Sequence, residues 1–348
     1  MKKFEPDYTN LQKAAYNQTP QRLPLYEHIV SEEVMESVLG KEFRHLCNGD
    51  SRDIQEFMKH YCEFYYKMGY DTVSYECVVT NILPYGGLLG GHGESVIKSY
   101  QDFERYPWEE IPDAYFSKYD AYFEALQKAM PPGMKAVGGV GNGVFECVQD
   151  ITGYMHLAVL SYENPDLYAA LFRKIGSVLL KIWERFIEKY AEAFCVFRFG
   201  DDLGFKTNTL LSADDIRDNI IPEYSKIISL VHNAGKPFLL HSCGCIFDVM
   251  PALIDIAKIN AKHSNEDQIA VFPDWVKKYG DKIALFGGMD TDVLCHLSQN
   301  EIRGYVTNTL NQCNKPNGIA FGSGNSIANY VPVENYLEMV RAVEEYRA

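Results

Sequence analysis

The stretch at 238–247 holds the side chains best suited to chemistry, because an apolar run there ends in His241, Ser242 and Cys243. A short apolar run flanked by proline and glycine predicts a buried strand with these polar residues at its C-terminal end. His241 and Cys243 are two positions apart, so on an extended strand their side chains point to the same face. A neutral imidazole and a thiolate that converge on one point are ligands that Zn²⁺ prefers. The stretch predicts a zinc site, with a buried cysteine beside a hydrogen-bonded core histidine as the alternative.

Apolar runs alternate with amphipathic segments along most of the chain, which is the pattern of an α/β fold with a parallel sheet. The runs predict eight strands, at 22–28, 72–78, 134–140, 194–199, 237–243, 257–263, 282–287 and 318–322. The other segments predict helices at 52–68, 113–129, 144–161, 165–193, 213–234, 246–257, 268–279, 300–312 and 333–347, with Ser31 and Ser212 as helix N-caps. Eight alternating strands predict a (β/α)₈ TIM barrel, here a single domain over 1–348. A doubly wound open sheet is the alternative, but no G-x-G-x-x-G follows the first strand.

Two segments fall outside this alternation. Residues 1–21 are polar and predict a surface arm at the N-terminus. Residues 79–112 predict a long insertion after the second strand that caps one end of the barrel. Five of the ten residues at 84–93 are glycine, which is typical of a flexible lid or of a tight surface excursion. The segment lacks the Lys-Ser/Thr of a P-loop, which excludes phosphate binding of that kind.

Bulk properties exclude several classes of protein. The 348 residues carry a net charge of −14 with a pI near 5.1, so no basic surface for nucleic acid or for an anionic membrane is expected. No apolar run reaches the ~18 residues of a membrane span, and the N-terminus does not resemble a signal peptide. Nine scattered cysteines, an odd number, favour a reducing cytoplasm over a disulfide framework.

The ends of the predicted strands carry polar side chains, and in a barrel these ends build the active site. The set is rich in metal ligands and poor in Lys and Arg: Glu27, His28, Glu76, Asn142, Asp201, Asp202, His241, Cys243, His263, Glu266, Asp290 and Asn325. Each member also has a structural explanation, such as capping of the next turn by Asp202 or of the helix near Thr291 by Asp290. Their joint placement at one end of the barrel favours a functional site.

Several motifs resemble the uroporphyrinogen decarboxylase superfamily, over most of the chain from about residue 20 and most specifically from residue 196. The motifs are Phe-Gly-Asp-Asp-Leu-Gly at 199–204, His-Ser-Cys-Gly at 241–244, Lys-Tyr-Gly-Asp-Lys-Ile at 278–283, Gly-Gly-Met-Asp at 287–290 and Pro-Val-Glu-Asn-Tyr at 332–336. The family fold is a (β/α)₈ barrel, which agrees with the strand count. The resemblance therefore implies the same architecture as the alternation of strands and helices.

The superfamily has two main branches, and the sequence favours one of them. One branch decarboxylates uroporphyrinogen without a cofactor and grips the substrate carboxylates with an N-terminal arginine motif, which 22–28 lacks. The other contains cobalamin- and corrinoid-dependent methyltransferases with a zinc His-x-Cys, matched here by His241 and Cys243. We therefore expect a zinc-dependent methyltransferase. The remaining alternatives are a metal-independent decarboxylase and a non-catalytic corrinoid-binding barrel.

The resemblance also implies roles for further residues. Related cobalamin-independent methionine synthases add a Glu and a late Cys to the zinc set, and Glu266 and Asn325 fall at about those positions. Asparagine is a weak zinc ligand. Three possibilities therefore stay open: a zinc ion with three protein ligands and an open position, a zinc ion with Cys245 or His263 in place of the missing ligand, and a site without zinc. The predicted assignments are His241, Cys243 and Glu266 as metal ligands, Asp201, Asp202, Glu266 and Asn325 as catalytic residues, and Asn142, Tyr154 and Asp290 as cofactor-binding residues.

The predicted reaction moves a methyl group between a corrinoid and a small methylated substrate, which is a methoxy-aromatic, a methylamine or a thiol. Zinc would activate a thiol or hydroxyl group or polarise an ether oxygen. The chain has no Asp-x-His-x-x-Gly corrinoid motif, so the corrinoid is expected on a partner protein. Tyr154 and other interior aromatic residues would stack on a methoxylated ring, with core packing as the alternative. The oligomeric state stays open, with a homodimer as one option.

Overall fold

The computed structural model describes residues 4–91 and 93–347, which form an α/β barrel. Seven parallel strands lie side by side in chain order, and helices pack around the sheet. The strands are β1 (Thr72–Val78), β2 (Lys135–Gly141), β3 (Phe194–Gly200), β4 (Phe238–His241), β5 (Ala261–His263), β6 (Ala284–Met289) and β7 (Ile319–Ser323). The predicted TIM-barrel class is confirmed, although β4 and β5 are shorter than the sequence predicted.

The predicted first strand at 22–28 is not a regular strand. Leu25 pairs with Phe321 of β7 in an isolated parallel bridge. On the other side, the Ser74 hydroxyl of β1 donates to the carbonyl oxygen of His28. The segment therefore contacts both β7 and β1. On the β1 side, however, the contact is made by the Ser74 side chain and not by the backbone hydrogen bonds that define a strand. It still brings His28 to the barrel end where the other strands finish.

The helices follow the strands in the predicted order. Their bounds are α1 (Thr9–Ala15), α2 (Glu32–Leu39), α3 (Ser51–Lys67), α4 (Tyr100–Arg105), α5 (Ile111–Ala129), α6 (Val144–Thr152), α7 (Tyr154–Glu163), α8 (Pro165–Tyr190), α9 (Ala213–Asp215), α10 (Ile221–Asn233), α11 (Met250–Ala252), α12 (Phe272–Tyr279), α13 (Thr291–His296), α14 (Gln299–Cys313) and α15 (Val333–Tyr346). π-Helical turns at Ile216–Ile220 and Leu253–Ala257 join α9 to α10 and extend α11. No helix within residues 4–91 and 93–347 is both long and apolar enough to cross a membrane.

Local chemistry explains some differences from the predicted helices. The predicted helix at 144–161 is split into α6 and α7 at Gly153, whose φ of 71° lies in the left-handed region that favours glycine. The Ser212 side chain accepts from the amide of Asp215, so the predicted N-cap is confirmed. The other predicted cap, Ser31, makes no such bond to the first turn of α2.

Residues 4–21 of the predicted N-terminal arm do not form a surface arm, because α1 closes the N-terminal end of the barrel, and residues 1–3 lie outside the described residues. Leu11, Ala14 and Ala15 lie at i, i+3 and i+4 on one face of α1 and are completely buried. They pack with small and medium apolar side chains from the strands, including Val196 and Leu239. Their small size lets the helix lie directly against the strands at this end.

The glycine-rich part of the 79–112 insertion is tied to α6. The amides of Gly87 and Leu89 donate to the Asp150 carboxylate, at 2.9 and 3.1 Å. The Val96 amide donates to the carbonyl oxygen of Ile151 at 2.9 Å. These bonds favour a fixed surface excursion over a flexible lid. One residue of this part, His92, lies outside the described residues.

Candidate active site

Three possible metal ligands converge where β3 and β4 end. His241 is the last residue of β4, Cys243 follows it by two positions, and Asp202 lies two positions after β3. The His241 Nε2 atom is 3.4 Å from the Cys243 sulfur and 3.9 Å from Asp202 Oδ1. The Cys243 amide donates to Asp202 Oδ1 at 2.8 Å, which holds the two loops together. The structure thus gathers an imidazole, a thiol and a carboxylate, a donor set that Zn²⁺ accepts.

A second group shares His241 and lies deeper in the barrel. The His28 ring stacks on the His241 ring with centroids 3.7 Å apart and an interplanar angle of 8°. On its other side, His241 Nδ1 is 2.7 Å from His263 Nδ1. In each group the ligand atoms lie within 4.8 Å of one another. All three histidines are buried, whereas Asp202 and Cys243 are partly exposed.

Burial shifts the pKa values of the three histidines and of Cys243. It lowers the pKa of the His28 and His241 imidazoles well below the usual value, and that of His263 to about 3. Burial, followed by the Asp202 carboxylate, raises the pKa of the Cys243 thiol. Neutral imidazoles are ready to bind a cation, while the thiol loses its proton when a metal binds. The Nδ1 atom of His28 is buried without a hydrogen-bond partner among the described residues, as expected beside a ligand site.

Asn325, just after β7, lies at this site but offers a donor instead of a ligand. Its Nδ2 donates to the Cys243 sulfur at 3.4 Å. Its Oδ1 accepts from the amide of Ser326 at 2.9 Å, which holds the side-chain amide in that orientation. Where the resemblance places a metal-binding cysteine, this chain therefore has a hydrogen-bond donor to the neighbouring sulfur.

Glu266 lies outside both groups of possible ligands. It lines a cavity of about 310 Å³ at the rim, together with Asp290 and Asn325. Strand β5 ends at His263, and the Glu266 carbonyl accepts from the amides of Ile269 and Ala270 in the turn that follows. The Glu266 carboxylate is not among the atoms of the two ligand groups that contain His241. The ligand role of Glu266 stays a prediction.

Asp201 and Asp202 are sequence neighbours with different surroundings. Asp201 is completely buried and accepts from the amides of Phe145 and Glu146, at 2.9 and 2.7 Å, and from the Tyr224 hydroxyl. It therefore caps the first turn of α6 and does not join the metal-ligand groups. Burial raises the pKa of its carboxyl to about 7. The predicted catalytic residue Asp201 therefore has a structural role, whereas Asp202 lies beside His241 and Cys243.

Two of the predicted cofactor-binding residues instead hold backbone in place. Asn142, with φ at 66°, accepts from the amide and hydroxyl of Thr80 at 3.1 and 2.9 Å. Its Nδ2 donates to Glu146 Oε2 at 2.8 Å. The Tyr154 hydroxyl donates to the carbonyl oxygen of Leu210 at 2.8 Å. Neither side chain keeps its main polar group free for a cofactor.

Asp290, the third predicted cofactor-binding residue, caps α13. Its Oδ1 accepts from the Val293 amide at 3.0 Å, and its Oδ2 accepts from the Asp267 amide at 2.7 Å. Both carboxylate oxygens are therefore engaged by backbone, as in the structural explanation offered for this residue. Asp290 reaches the rim cavity beside Glu266 but belongs to neither ligand group.

Two charged residues near the site were missed by the sequence interpretation. Glu146, in the first turn of α6, accepts from the Asp202 amide at 3.3 Å. Burial, then the Asp201 and Asp202 carboxylates, raise its pKa well above the usual value. Its only sequence signal is an acidic residue near a helix N-terminus, which is common on helices.

Arg198 is the other missed residue, and it is completely buried within β3. Its Nε and Nη2 donate to Glu76 Oε2 at 3.0 and 2.8 Å, and its Nη1 donates to the hydroxyls of Tyr26 and Ser74 at 2.7 and 2.8 Å. A charge in an otherwise apolar run was the signal that could have revealed it. Because a buried charge must be paired, Arg198 and Glu76 act as a unit inside the barrel.

Comparison with known proteins places this barrel in a family. Residues 91–346 match the family model of uroporphyrinogen decarboxylase (URO-D). The chain belongs to the uroporphyrinogen decarboxylase family. A uroporphyrinogen decarboxylase of Pelobacter propionicus is 24% identical over 200 residues, which cover 55% of this chain and 53% of the relative. The chain thus matches about half the length of that relative.

Solved structures confirm the fold of this URO-D family chain. A methyltransferase from Methanosarcina mazei superposes with a TM-score of 0.78 at 17% sequence identity. The match covers 99% of this chain and 100% of the other. The expected superfamily and barrel architecture are therefore both confirmed.

Proposed function

We propose that this chain is a zinc-dependent methyltransferase that moves a methyl group between a small methylated substrate and a corrinoid held by a partner protein. The observation that carries the proposal is the convergence of Cys243 Sγ, His241 Nε2 and Asp202 Oδ1 within 4.8 Å. The likeness in fold to the Methanosarcina mazei methyltransferase supports the methyltransferase branch. A decarboxylase that works without a metal has no need of a thiol and an imidazole at this place.

The residues present fit a catalytic zinc ion. His241, Cys243 and Asp202 provide three ligands, and a catalytic zinc keeps its fourth position open. Cys243 and Asp202 are partly exposed, so the open position would face the end of the barrel where a substrate enters. When bound, zinc lowers the pKa of a bound thiol or hydroxyl group, or withdraws charge from an ether oxygen. Thiols, methoxy-aromatics and methylamines are the substrate classes that match this chemistry.

The surrounding side chains hold these ligands in position. Asp202 Oδ1 accepts from the Cys243 amide, so a hydrogen bond joins the loops after β3 and β4. Asn325 donates to the Cys243 sulfur and stabilises its thiolate form. Glu146 accepts from the Asp202 amide and fixes the other loop. This support is what a reactive site needs, because small displacements of ligands cost activity.

Uroporphyrinogen decarboxylation is the second candidate, favoured by the relative from Pelobacter propionicus. A substrate with many carboxylates needs cationic side chains to bind it. Arg198 lies inside the barrel, but its guanidinium already bonds with Glu76, Tyr26 and Ser74. Lys206, at the rim, donates to Gln268. Together with a net charge of −14, these contacts make the carboxylate-rich substrate a poor match.

Methyl transfer to or from free cobalamin tests the proposal, because the methylated and reduced forms differ in visible absorption. Zinc-loaded protein should transfer a methyl group with at least one donor or acceptor among methoxylated aromatics, methylamines and thiols. Cys243→Ala should abolish the transfer, while Cys245→Ala, at a neighbouring cysteine outside both ligand groups, should keep it. Failure with all three substrate classes, or turnover of uroporphyrinogen at ~1 s⁻¹ or faster, would overturn the proposal.

A further inference from the structure

A chain of hydrogen bonds runs from β7 through two histidines to the proposed metal site. His263 Nε2 lies 2.9 Å from the carbonyl oxygen of Ser323, and His263 Nδ1 lies 2.7 Å from His241 Nδ1. A carbonyl oxygen can only accept, so His263 Nε2 must carry a hydrogen. The contact between the two Nδ1 atoms must also contain one hydrogen, since two bare nitrogens would repel at this distance.

The position of that second hydrogen follows from the contact with Ser323. An imidazole with one ring hydrogen, placed on Nε2 by the Ser323 carbonyl, presents Nδ1 as an acceptor. The shared hydrogen therefore belongs to His241 Nδ1. With its ring hydrogen on Nδ1, the His241 imidazole presents Nε2 as the nitrogen with a free lone pair. That bare nitrogen is the atom that faces Cys243 and Asp202.

We infer that His263 is a positioning residue, which fixes the His241 tautomer so that Nε2 binds the metal together with Cys243 and Asp202. The inference rests on the proposed zinc site and selects it over the group of three histidines. Ligating histidines commonly donate their second ring hydrogen to a neighbour that orients them, and loss of that neighbour weakens metal binding about 10–100-fold. In this protein the neighbour that orients His241 is a second histidine, His263.

Spacing supports the same choice between the two groups. Two nitrogens on one tetrahedral zinc, each at ~2.0–2.1 Å from it, lie about 3.3 Å apart, and a nitrogen and a sulfur lie about 3.5 Å apart. His241 Nδ1 and His263 Nδ1 are closer than this, at 2.7 Å, which is a hydrogen-bond distance. His241 Nε2 and Cys243 Sγ are 3.4 Å apart, close to the spacing of two ligands on one zinc.

The series of hydrogen bonds is anchored at its β7 end, which restricts rotation of the His263 ring. The Ser323 amide donates to Glu27 Oε1 at 3.1 Å, and the Ser323 hydroxyl donates to the same carboxyl group. The Tyr26 ring packs edge-on against His263, with centroids 5.2 Å apart. The Ser323 carbonyl and the His263 ring are therefore both held in place. Rotation of either would break the bond to His241.

Nitrogen NMR of protein labelled with ¹⁵N-histidine tests the tautomers directly and without any assay of activity. In metal-free protein, His263 should be the Nε2–H form and His241 the Nδ1–H form, with His241 assigned by its loss in His241→Gln. Addition of zinc should move the His241 Nε2 resonance and leave its Nδ1 protonated. A His241 Nε2–H form, or zinc on Nδ1, would overturn the inference.

Zinc affinity of His263 variants gives the second test. His263→Leu removes the acceptor and should weaken zinc binding about 10–100-fold, whereas His263→Asn keeps an oxygen acceptor near Nδ1 and should restore most of it. His232→Leu is the control, because the His232 side chain bonds to Asn260, away from the site. Absence of zinc from the wild type defeats the proposed function, while unchanged affinity in folded His263→Leu overturns this inference alone.

Discussion

The two ends of the barrel are built from opposite kinds of side chain. At the N-terminal end, α1 packs Leu11, Ala14 and Ala15 against apolar residues of the strands. At the C-terminal end, imidazoles and carboxyls are buried and a thiol is partly exposed, and burial shifts the pKa values of the imidazoles and of the thiol. Burial of polar groups opposes folding unless each group is paired. The difference indicates that one end stabilises the fold, while the other is retained for chemistry at a cost in stability.

The largest expected effect is a loss of stability when the packing at the apolar end is disrupted. Leu11→Ala should lower the free energy of unfolding by ~2–5 kcal/mol, because Leu11 is completely buried and its truncation leaves a cavity. Zinc affinity should stay unchanged, since α1 lies at the opposite end from His241. Chemical denaturation measures the stability loss, with Lys13→Ala on the same helix as the control. A change in zinc affinity in folded Leu11→Ala would contradict the division between the two ends.

The next largest effect is a loss of zinc binding when a ligand is removed from the polar end. Cys243→Ala should weaken zinc binding by about 100-fold or more, because it removes the only thiol of the ligand group. Stability of the metal-free protein should change little, since Cys243 is partly exposed. Competition with a chromophoric chelator measures the affinity. If Cys245→Ala loses zinc instead, the ligands have been assigned to the wrong cysteine.

A smaller effect, tighter zinc binding, is expected when a ligand is added to the polar end. Asn325→Cys places a second thiol beside Cys243, where Asn325 Nδ2 now lies 3.4 Å from the sulfur. Zinc should bind about tenfold more tightly, because thiolates are stronger ligands for zinc than amides. Methyl transfer involving an oxygen-linked methyl group should slow, since extra thiolate charge makes the metal a weaker Lewis acid. Unchanged affinity would mean that position 325 does not reach the metal.

A further expected effect is a dependence of stability on pH. Burial raises the pKa of Glu27 to about 8 from its usual 4.5, so the folded state holds a proton that the unfolded state releases between these values. The free energy of unfolding should therefore fall as pH rises from 4.5 to about 8. Glu27→Gln cannot titrate and should flatten that part of the profile. An equal slope in wild type and Glu27→Gln would show that Glu27 titrates normally.

Much of the fold could be predicted because strands and helices leave local signals. Apolar runs located seven strands. The spacing of His241 and Cys243 predicted that their side chains lie close together, which they do at 3.4 Å, although Cys243 follows the end of β4 and is not on the strand. The segment at 22–28 has the same pattern, but it lies at the closure of the barrel and pairs mainly with one neighbour. Pairing depends on distant strands, so no local signal separates a strand from such a segment.

The site was less predictable, because it depends on contacts between distant residues. Asp201 and Asp202 are equivalent in sequence, yet one caps α6 and the other faces His241. Glu266 falls at the right sequence distance for a ligand, but the turn after β5 leaves it at the rim. The pairing of His241 with His263 follows from the β4–β5 register, where the two residues are partners. Such partners become visible only when the strands are placed side by side.

Cobalt substitution tests the central claim most directly, because Co²⁺ replaces Zn²⁺ and reports its ligands by absorption. One thiolate in a tetrahedral site should give a sulfur-to-cobalt charge-transfer band together with intense visible bands. The bands should appear at one cobalt per chain, disappear in Cys243→Ala and persist in Cys245→Ala. Wild-type protein that binds no cobalt, or binds it without the charge-transfer band, would contradict a metal site on His241, Cys243 and Asp202.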